Sequence, residues 1–420
     1  MNYVIIGASA AGLAAAESIR KYDKESAVTV LTEEEYLPYS RPSISYYLKG
    51  KVKENDMPLR KSAYYKSQKI DIVTASKVTA VDTENKIVKA GRKNYFYDKL
   101  CFCTGSKPFV PPMENVSGKS NALTFLDIAS AKQIKKLACN KTRAVVIGAG
   151  LIGMKAAEGL VKICKSVDVV ELSPRVLPSI LDEVSSKQVK KHLEENGIKF
   201  HLGNTVVKAS SKGKEITAVT LKDGKKLACD LLVLAVGVRP CVDLAEKAGL
   251  EVDRGIITDY ETMQTSDKDI YAAGDCCVSK DMLDGSKKII ALWPNAVQQG
   301  TAAGAQMAGR DLKTGGTYSV NAIDFFGLRI CTCGLINAGG EPYSDQIKQD
   351  GSSYKRLVFE GDRLVGYVLI NSSENAGIYT SLISNKISLD TLEKDIMETP
   401  SLFMFDKETR ISKLRGGINI

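Results

Sequence analysis

Two glycine-rich turns in this chain have the composition and spacing of sites that bind a diphosphate. The first turn follows an apolar run and carries Gly7 and Gly12, and the second carries Gly148, Gly150 and Gly153 in the pattern Gly-x-Gly-x-x-Gly. Glycine lets backbone N–H groups approach phosphate oxygens closely, and the helix that follows directs the positive end of its dipole towards them. Each turn therefore predicts a binding site for a dinucleotide.

An acidic residue follows each turn at about the distance expected of a ribose-binding carboxylate. Glu33 lies 21 residues after Gly12, and Glu171 lies 18 residues after Gly153; an acid about 20 residues beyond such a turn accepts hydrogen bonds from ribose hydroxyls. A carboxylate at Glu171 would repel a 2′-phosphate, which favours NADH over NADPH. Arg175 lies close by in the sequence, so use of both nucleotides stays open.

The elements that must position these residues occur twice. In each copy an apolar strand, the turn and a small-residue helix lead to a β-branched strand that ends near the acid. Each copy continues with alternating strands and closes on an apolar strand ending in Gly105 or Gly237. Matching landmarks are offset by 141, 141, 138 and 132 residues, a four-part match that indicates duplication. In the first copy Ser9 takes the place of the middle glycine and is small enough for the same role. Two copies predict two dinucleotides, a flavin and a nicotinamide.

A further candidate is Asp275, which follows an apolar strand and Gly274. Its carboxylate could bind a polyol such as the flavin ribityl chain, or it could cap a helix. The segment 293–300 comes next and starts a small-residue helix, residues 301–309, which is expected to return to the first domain. Residues 108–112 and 239–240 are candidate hinges, where the chain would enter and leave the second dinucleotide domain.

The sequence predicts an α/β protein with two Rossmann-like, three-layer dinucleotide-binding domains and a C-terminal α+β domain. Residues 1–112 and 241–317 form the first domain, residues 113–240 the second and residues 318–420 the third. The third contains a hairpin around residues 360–362, helices at 376–383 and 389–397, and a loose basic tail from 410 to 420. No window approaches 18 uninterrupted apolar residues, and no basic lead precedes the first apolar stretch. We expect a cytoplasmic protein with no membrane span.

The distribution of charge and the cysteines limit which partners and which kinds of site the chain is expected to have. The net charge is +9, and the stretch from Lys49 to Lys107 holds 14 basic and six acidic residues. This face could attract an acidic partner or be an ordinary solvated surface, and its tyrosines fit strand packing better than nucleic-acid binding.

Ten cysteines without a Cys-x-x-Cys pair indicate reduced thiols in a reducing compartment. Cys276 with Cys277, and Cys331 with Cys333, are less favoured candidates for redox pairs. Two histidines leave no His-rich metal site, and no metal is expected.

The segment Pro38-Tyr39-Ser40-Arg41-Pro42-Ser43-Ile44-Ser45 completes a pattern that resembles the pyridine-nucleotide oxidoreductase superfamily over nearly the full chain. It is most similar to NADH:rubredoxin and ferredoxin reductases and to the flavin part of nitrite reductases. The resemblance implies FAD on the first copy, NAD(P)H on the second and a C-terminal interface domain, often for dimers. The residues implied for FAD are Gly7, Ala8, Ser9, Ala10, Ala11, Gly12, Glu33, Arg41, Pro42, Val78, Thr104, Gly105, Gly274, Asp275 and Asn295. Those implied for NAD(P)H are Gly148, Gly150, Leu151, Ile152, Gly153, Glu171, Arg175 and Gly237.

Two departures from the superfamily pattern matter for the chemistry. No cysteine occurs before Cys101, so thiol–disulfide catalysis beside the flavin is not expected. Related reductases place a lysine close to Tyr46, and many relatives place a glutamate where Lys155 stands. Lys155 is therefore either a catalytic cation near the flavin, where it would favour the anionic reduced form, or only a partner of Glu158 at i+3.

The main functional hypothesis is an FAD-containing oxidoreductase that passes a hydride from NAD(P)H to FAD and electrons to a small acidic iron–sulfur or rubredoxin-type carrier. A second hypothesis sends the electrons to O₂, peroxide or a sulfur compound. A third is a redox-sensing or assembly flavoprotein whose basic surface binds partners. No motif names the acceptor, and the chain is expected to act as a homodimer or as a subunit of an electron-transfer complex.

Overall fold

The computed structural model describes residues 1–389 and 395–403. It is an α/β structure in which two five-stranded parallel sheets, each accompanied by a three-stranded antiparallel sheet, precede a five-stranded antiparallel sheet. The predicted fold class is thus confirmed. The strands of each large sheet fall inside the predicted domain segments, while the boundaries themselves stay a prediction. Most of the predicted helix at 389–397 and the whole tail at 410–420 lie outside the described residues.

The first parallel sheet has the strand order β18-β7-β1-β2-β3, and β4, β5 and β6 form the accompanying antiparallel sheet. A 3₁₀ turn covers Glu54–Asp56. The elements are β1 (Asn2–Ile6), α1 (Ala10–Tyr22), β2 (Ala27–Leu31), α2 (Ser43–Leu48), α3 (Ser62–Ser67), β3 (Ile70–Val73), β4 (Val78–Asp82), β5 (Ile87–Ala90), β6 (Lys93–Phe96) and β7 (Lys99–Phe102).

The second parallel sheet repeats this plan with the order β12-β11-β10-β16-β9, and β13, β14 and β15 form its antiparallel companion. The elements along this part of the chain, including β8 and β17 of a separate two-stranded sheet, are β8 (Ser106–Pro108), β9 (Ala122–Thr124), α4 (Ile128–Leu137), β10 (Arg143–Ile147), α5 (Leu151–Leu160), β11 (Ser166–Glu171), α6 (Glu183–Glu195), β12 (Ile198–Leu202), β13 (Val206–Lys212), β14 (Glu215–Leu221), β15 (Lys226–Ala228), β16 (Leu231–Leu234) and β17 (Val238–Pro240).

The two crossings between these domains are paired with each other. Strands β8 and β17 run antiparallel, with Lys107 opposite Arg239, and Lys107 Nζ lies 2.7 Å from Asp243 Oδ2. The chain therefore leaves and re-enters the first domain through a single two-stranded connection. The predicted hinge at 239–240 falls within β17, whereas the one at 108–112 overlaps β8 only at Pro108.

The chain then completes the first domain. The elements after the crossing are α7 (Asp243–Lys247), β18 (Ile270–Ala272), β19 (Ser279–Lys280), β20 (Lys287–Lys288) and α8 (Trp293–Met307). Helix α8 packs on α1. The approach is so close that a Cβ on Gly300 would lie 2.1 Å from the Ala11 carbonyl oxygen, and one on Gly304 would lie 2.3 Å from that of Ala15. Glycine at both positions lets the two backbones touch.

The C-terminal domain is an antiparallel sheet of order β21-β22-β25-β24-β23 with α9 packed on it. A 3₁₀ turn covers Pro400–Phe403. The elements are β21 (Val320–Phe325), β22 (Leu328–Gly334), β23 (Tyr343–Asp350), β24 (Ser353–Glu360), β25 (Arg363–Ile370) and α9 (Ala376–Ser384). Phe325 and Tyr354 are buried in one apolar cluster with the second domain's Val146 and Leu160, so the third domain shares a core with the second.

Candidate functional site

The first glycine turn is shaped by close contacts between backbone atoms. A Cβ on Gly7 would lie 2.0 Å from the Cys103 carbonyl oxygen, and one on Gly12 would lie 1.9 Å from that of Gly7. Gly7 also has a φ of +109°, a region that residues with a Cβ avoid. Ser9 is the N-cap of α1 but makes no side-chain capping bond. The N–H groups of the first turn of α1 have no partner within the helix and can donate to an anion.

The second turn has the same construction. A Cβ on Gly148 would lie 2.3 Å from the Ala235 carbonyl oxygen, and one on Gly153 would lie 2.0 Å from that of Gly148. Gly150 is the N-cap of α5, and a Cβ built on it meets no atom within 4 Å. The space in front of this helix N-terminus is therefore open, which fits a diphosphate approaching the backbone. Leu151 and Ile152 form the first turn of α5.

The acid of the second copy is held against its own turn. Glu171 ends β11, and its carboxylate accepts hydrogen bonds from Ala149 N at 2.6 Å and from Ser173 N at 2.7 Å. One bond ties the acid to the glycine turn and the other to the loop after the strand. The carboxylate is thus fixed beside the diphosphate cradle, where a ribose bound to the same nucleotide would lie.

The acid of the first copy is arranged differently. In the strand registers Leu31 pairs with Ile6 as Val170 pairs with Ile147, so Thr32 occupies the position that corresponds to Glu171. Glu33 lies one residue further along, exposed, with its carboxylate 3.1 Å from Lys77 Nζ. The backbone nevertheless runs beside the start of β4, where Val78 is one of the residues implied for FAD, because Ser76 N donates to Thr32 O at 2.7 Å.

Arg41 extends from the predicted flavin segment to the N-cap of α1. Its Nε donates to Ser9 Oγ at 3.3 Å, and its guanidinium pairs with Glu34. Tyr39 donates to the same Glu34 carboxylate at 2.7 Å and accepts from Ile128 N at 3.1 Å. Burial raises the pKa of Tyr39, so the phenol stays protonated and keeps donating. Glu34 and Tyr39 were not predicted from sequence, because their role is to orient a neighbour.

Asp275 lies beside the first turn of α1, held there by Gly274, where an added Cβ would be 3.0 Å from the Ala11 Cβ. It does not cap a helix, since the next helix begins at Trp293 with Leu292 as N-cap. Ser106 Oγ donates to its carboxylate at 2.9 Å. Burial raises the pKa of Asp275, against the opposing effect of the Ser106 hydrogen bond.

A buried glutamine fixes the turn that carries this aspartate. Gly274 N donates to Gln299 Oε1 at 2.8 Å, and Gln299 Nε2 donates to Ser279 Oγ at 2.6 Å. Gln299 lies on α8 and is 2% exposed. A helix glutamine gives no sequence signal for such a role, and only the tertiary contact shows it.

The remaining predicted residues lie at the edges of the two sites. Thr104 Oγ1 donates to Cys241 O at 2.7 Å, which joins the two ends of the crossing, and Pro42 is the N-cap of α2. Asn295 is buried on α8, and its amide donates to Tyr318 O at 3.3 Å. Gly105 and Gly237 follow the last parallel strand of each copy with φ values of +66° and +115°.

Comparison with known proteins decides the family. Residues 1–300 match the model of the pyridine nucleotide-disulphide oxidoreductase family, and residues 320–387 match that of the rubredoxin NAD⁺ reductase C-terminal domain. The chain belongs to the pyridine nucleotide-disulphide oxidoreductase family. It is an FAD-dependent oxidoreductase of NAD(P)H, as the sequence predicted.

Individual relatives agree with this family assignment. The chain is 39% identical over 325 residues to a protein named NADH oxidase from Methanocaldococcus jannaschii, covering 74% of this chain and 71% of that one. It is 30% identical over 311 residues to a rubredoxin-NAD(+) reductase from Pseudomonas putida, covering 74% and 80%. Among solved structures, the covalent putidaredoxin reductase–putidaredoxin complex matches with a TM-score of 0.84 and 26% identity over 99% of this chain and 98% of that one.

Lys155, the position at which this member departs from its superfamily, has well-defined partners. Its ammonium lies 3.0 Å from Glu158 Oε2 and also donates to the carbonyl oxygen of Asp324. The pairing that the sequence allowed at i+3 is therefore present. Whether Lys155 also acts on the flavin stays a prediction.

Cysteine chemistry at the family's usual place has no residues to support it in this chain. All ten cysteines are free thiols. Cys276 and Cys277 donate to separate carbonyl groups, those of Ala273 and Gly274. Burial raises the pKa of Cys333 to about 12, which suppresses its thiolate. Over residues 1–389 and 395–403, no helix combines the length and apolarity needed to cross a bilayer.

Proposed function

We propose that this chain takes a hydride from NADH onto FAD and passes the electrons to a small acidic iron–sulfur or rubredoxin-type carrier. The observation that carries the proposal is the duplication of the glycine turn at the level of single atoms. Gly7 and Gly148 adopt nearly the same φ, and each makes the same close approach to a carbonyl oxygen of a neighbouring strand.

The residues around the first turn fit FAD. The free N–H groups of α1 and the guanidinium of Arg41 supply positive charge for a diphosphate. Asp275 supplies acceptors for a polyol beside them, while Ser106 and Gln299 hold that carboxylate and its turn in place. When bound, FAD supplies the hydride acceptor and a means of releasing electrons singly.

The residues around the second turn favour NADH. Glu171 presents a carboxylate that accepts from ribose hydroxyls and repels a 2′-phosphate. Arg175, the residue that could accommodate that phosphate, is already engaged: its Nη2 donates to Asn337 Oδ1 at 2.9 Å and to Pro178 O at 3.3 Å. The Arg175 guanidinium is thus bound to the third domain, so the Glu171 carboxylate determines the charge near the ribose.

Four observations support a small redox protein as acceptor. The C-terminal segment matches a domain named for rubredoxin reductase, and a full-length structural neighbour is a complex with putidaredoxin. No cysteine precedes Cys101, which leaves no thiol for disulfide exchange at the family's usual position. The basic stretch from Lys49 to Lys107 would attract an acidic carrier and raise its association rate.

A second candidate function is the reduction of O₂. The relative from Methanocaldococcus jannaschii is named NADH oxidase, and the same two nucleotide sites would serve that reaction. The two candidates differ only in the group that removes the electrons, so the measurement must compare acceptors rather than nucleotide binding.

The test begins with anaerobic mixing of the purified yellow protein with NADH. We expect the flavin absorbance to bleach, and more slowly with NADPH. Turnover is then measured with rubredoxin, a [2Fe–2S] ferredoxin and O₂ at two ionic strengths. Faster turnover with a protein carrier, lost at high salt, supports the proposal. Equal or faster turnover with O₂ favours the oxidase, and no bleaching with either nucleotide refutes both.

We also propose a cytoplasmic location and an assembled state, as a homodimer or as a subunit of an electron-transfer complex. Free cysteines throughout the chain fit a reducing compartment. Light scattering on the purified protein and fractionation of native cells test the two statements. A monomer found with and without carrier would contradict the assembled state.

A further inference from the structure

Three charged side chains meet where the two nucleotide domains and the C-terminal domain come together. We call Lys49, Lys155 and Glu158 the junction cluster. Lys155 Nζ lies 3.0 Å from Glu158 Oε2, and Lys49 Nζ binds the same oxygen. The three side chains are only 11%, 17% and 5% exposed, respectively. The cluster is therefore a buried carboxylate shared by two cations.

The third domain closes the cluster from the other side. The tip of its first hairpin donates Phe326 N to Glu158 Oε1 at 3.2 Å and accepts from Lys155 through Asp324 O. The ring of Phe325 lies 4.5 Å from the Lys155 ammonium. Both oxygens of Glu158 are thus engaged, one by two lysines and one by the hairpin.

The cluster links two helices whose N-termini reach the two nucleotide sites. Lys49 follows α2, which starts just after Arg41, and Glu158 lies on α5, which starts at the glycine turn of the second copy. One residue away the same helices are in tight contact, because a Cβ on Gly159 would lie 2.9 Å from Leu48 Cδ2. A shift of one helix against the other therefore strains both the apolar contact and the Lys49–Glu158 ion pair.

Burying three charges is costly unless their geometry is well satisfied. Burial lowers the pKa of Lys49, against the hydrogen bond to Glu158 that favours its charged form. An apolar contact would join α2 and α5 without the free-energy cost of desolvating charges, but it would not fix their relative position as directional bonds do. The arrangement therefore indicates that the relative position of the two helices is required, and not only the stability of their contact.

We propose that Glu158, with Lys49 and Lys155, is a positioning group that fixes α2 against α5 and so sets the approach of the nicotinamide site to the flavin site. The proposal rests on the proposed function. Lys49 makes the ion pair that crosses from α2 to Glu158 on α5. Lys155, on the same helix as Glu158, holds that carboxylate and the Asp324 carbonyl of the hairpin rather than the flavin.

The test compares Lys49→Met and Lys155→Met in the purified flavoprotein. Each variant leaves one lysine paired with the buried Glu158 carboxylate, so the variant protein is expected to fold. Lys187→Met is the matched control, because it removes one cation from an exposed ion pair on α6. Four quantities are measured: the rate of flavin reduction at saturating NADH, the NADH dissociation constant, the flavin midpoint potential, and the hydrogen exchange of residues 43–48 and 151–160.

We expect both cluster variants to slow flavin reduction by about tenfold to a hundredfold, the loss that a small misplacement of reacting groups causes. The NADH dissociation constant and the midpoint potential should stay close to wild type, and exchange should rise in both helices, while Lys187→Met changes none of these. A slower rate in Lys155→Met alone, with a shifted potential, would show that Lys155 acts on the flavin and would overturn the proposal. Unchanged rates in both variants would overturn it as well. A wild-type flavin that NADH fails to reduce would refute the proposed function, and the inference with it.

Discussion

Replacing Glu171 by glutamine should weaken the preference for NADH, because the ribose hydroxyls lose a charged acceptor that is held in place. The carboxylate accepts from Ala149 N and Ser173 N at 2.6 and 2.7 Å. A glutamine amide has one oxygen, so it can keep only one of these bonds, and it is neutral. A hydrogen bond from a ribose hydroxyl to a charged acceptor contributes about 1.5–3 kcal/mol, and each 1.4 kcal/mol is a factor of ten. The efficiency with NADH should therefore fall about tenfold to a hundredfold.

The same substitution should act in the opposite direction on NADPH. A carboxylate about 4 Å from a 2′-phosphate charge costs roughly 1–4 kcal/mol, depending on the local dielectric, and glutamine removes that repulsion. The ratio of kcat/KM for NADPH to that for NADH, measured with ferricyanide as acceptor, should rise by about tenfold or more. Glu33→Gln is the matched control, because Glu33 is the exposed acid of the other copy. If Glu171→Gln leaves the ratio at the wild-type value, or if Glu33→Gln changes it equally, the assignment of Glu171 is wrong.

Three further substitutions test the scaffold. Gly300→Ala places a Cβ 2.1 Å from a carbonyl oxygen of α1 and should destabilise the protein by about 1–3 kcal/mol in urea unfolding, whereas Gly377→Ala, with open space around it, should be neutral or slightly stabilising. Gln299→Leu leaves Gly274 N without its acceptor and should release FAD during gel filtration, where full retention would argue against the role. Two lysines hold the pKa of Asp269 down to about 2, so its stabilising effect is complete above the ordinary value near pH 4 and is lost as pH falls towards 2. Asp269→Asn should therefore flatten the decline of stability over that range, and an unchanged slope would contradict this.

Much of the fold could be predicted because local sequence patterns mark both nucleotide-binding units. The glycines at positions 7, 12, 148 and 153 are required by backbone contacts within a few residues or with one neighbouring strand. The spacing of such contacts survives in sequence, and so does the apolar pattern of buried parallel strands. The shared core of the second and third domains gave no such signal, since Phe325 meets its partners only through tertiary packing.

The site was harder to predict where one side chain serves another. Glu34 and Gln299 contact the predicted residues Arg41 and Gly274 and orient them, and Tyr39 in turn holds Glu34. Their residue types are common in helices and loops, so no pattern distinguishes them. The ambiguity at Asp275 was of another kind: a strand followed by Gly-Asp fits a helix cap as well as a site, and only the distance to the next helix excludes the cap.

The two copies also differ in a way that their similar sequences conceal, and the difference follows the chemistry of their proposed ligands. The Glu171 carboxylate is hydrogen-bonded to its own glycine turn. This bond lowers the conformational entropy that is lost each time a nucleotide binds. This suits a nucleotide that must bind and leave in every turnover. In the first copy Glu33 is exposed and pairs with Lys77, and the ordered groups are instead Arg41 and the turn before Asp275. These groups come from distant parts of the chain, so the site is completed by folding itself, as suits a cofactor that stays. The one-residue shift at the end of β2 is thus a point at which the two copies differ in structure, and this difference matches the different roles proposed for their ligands.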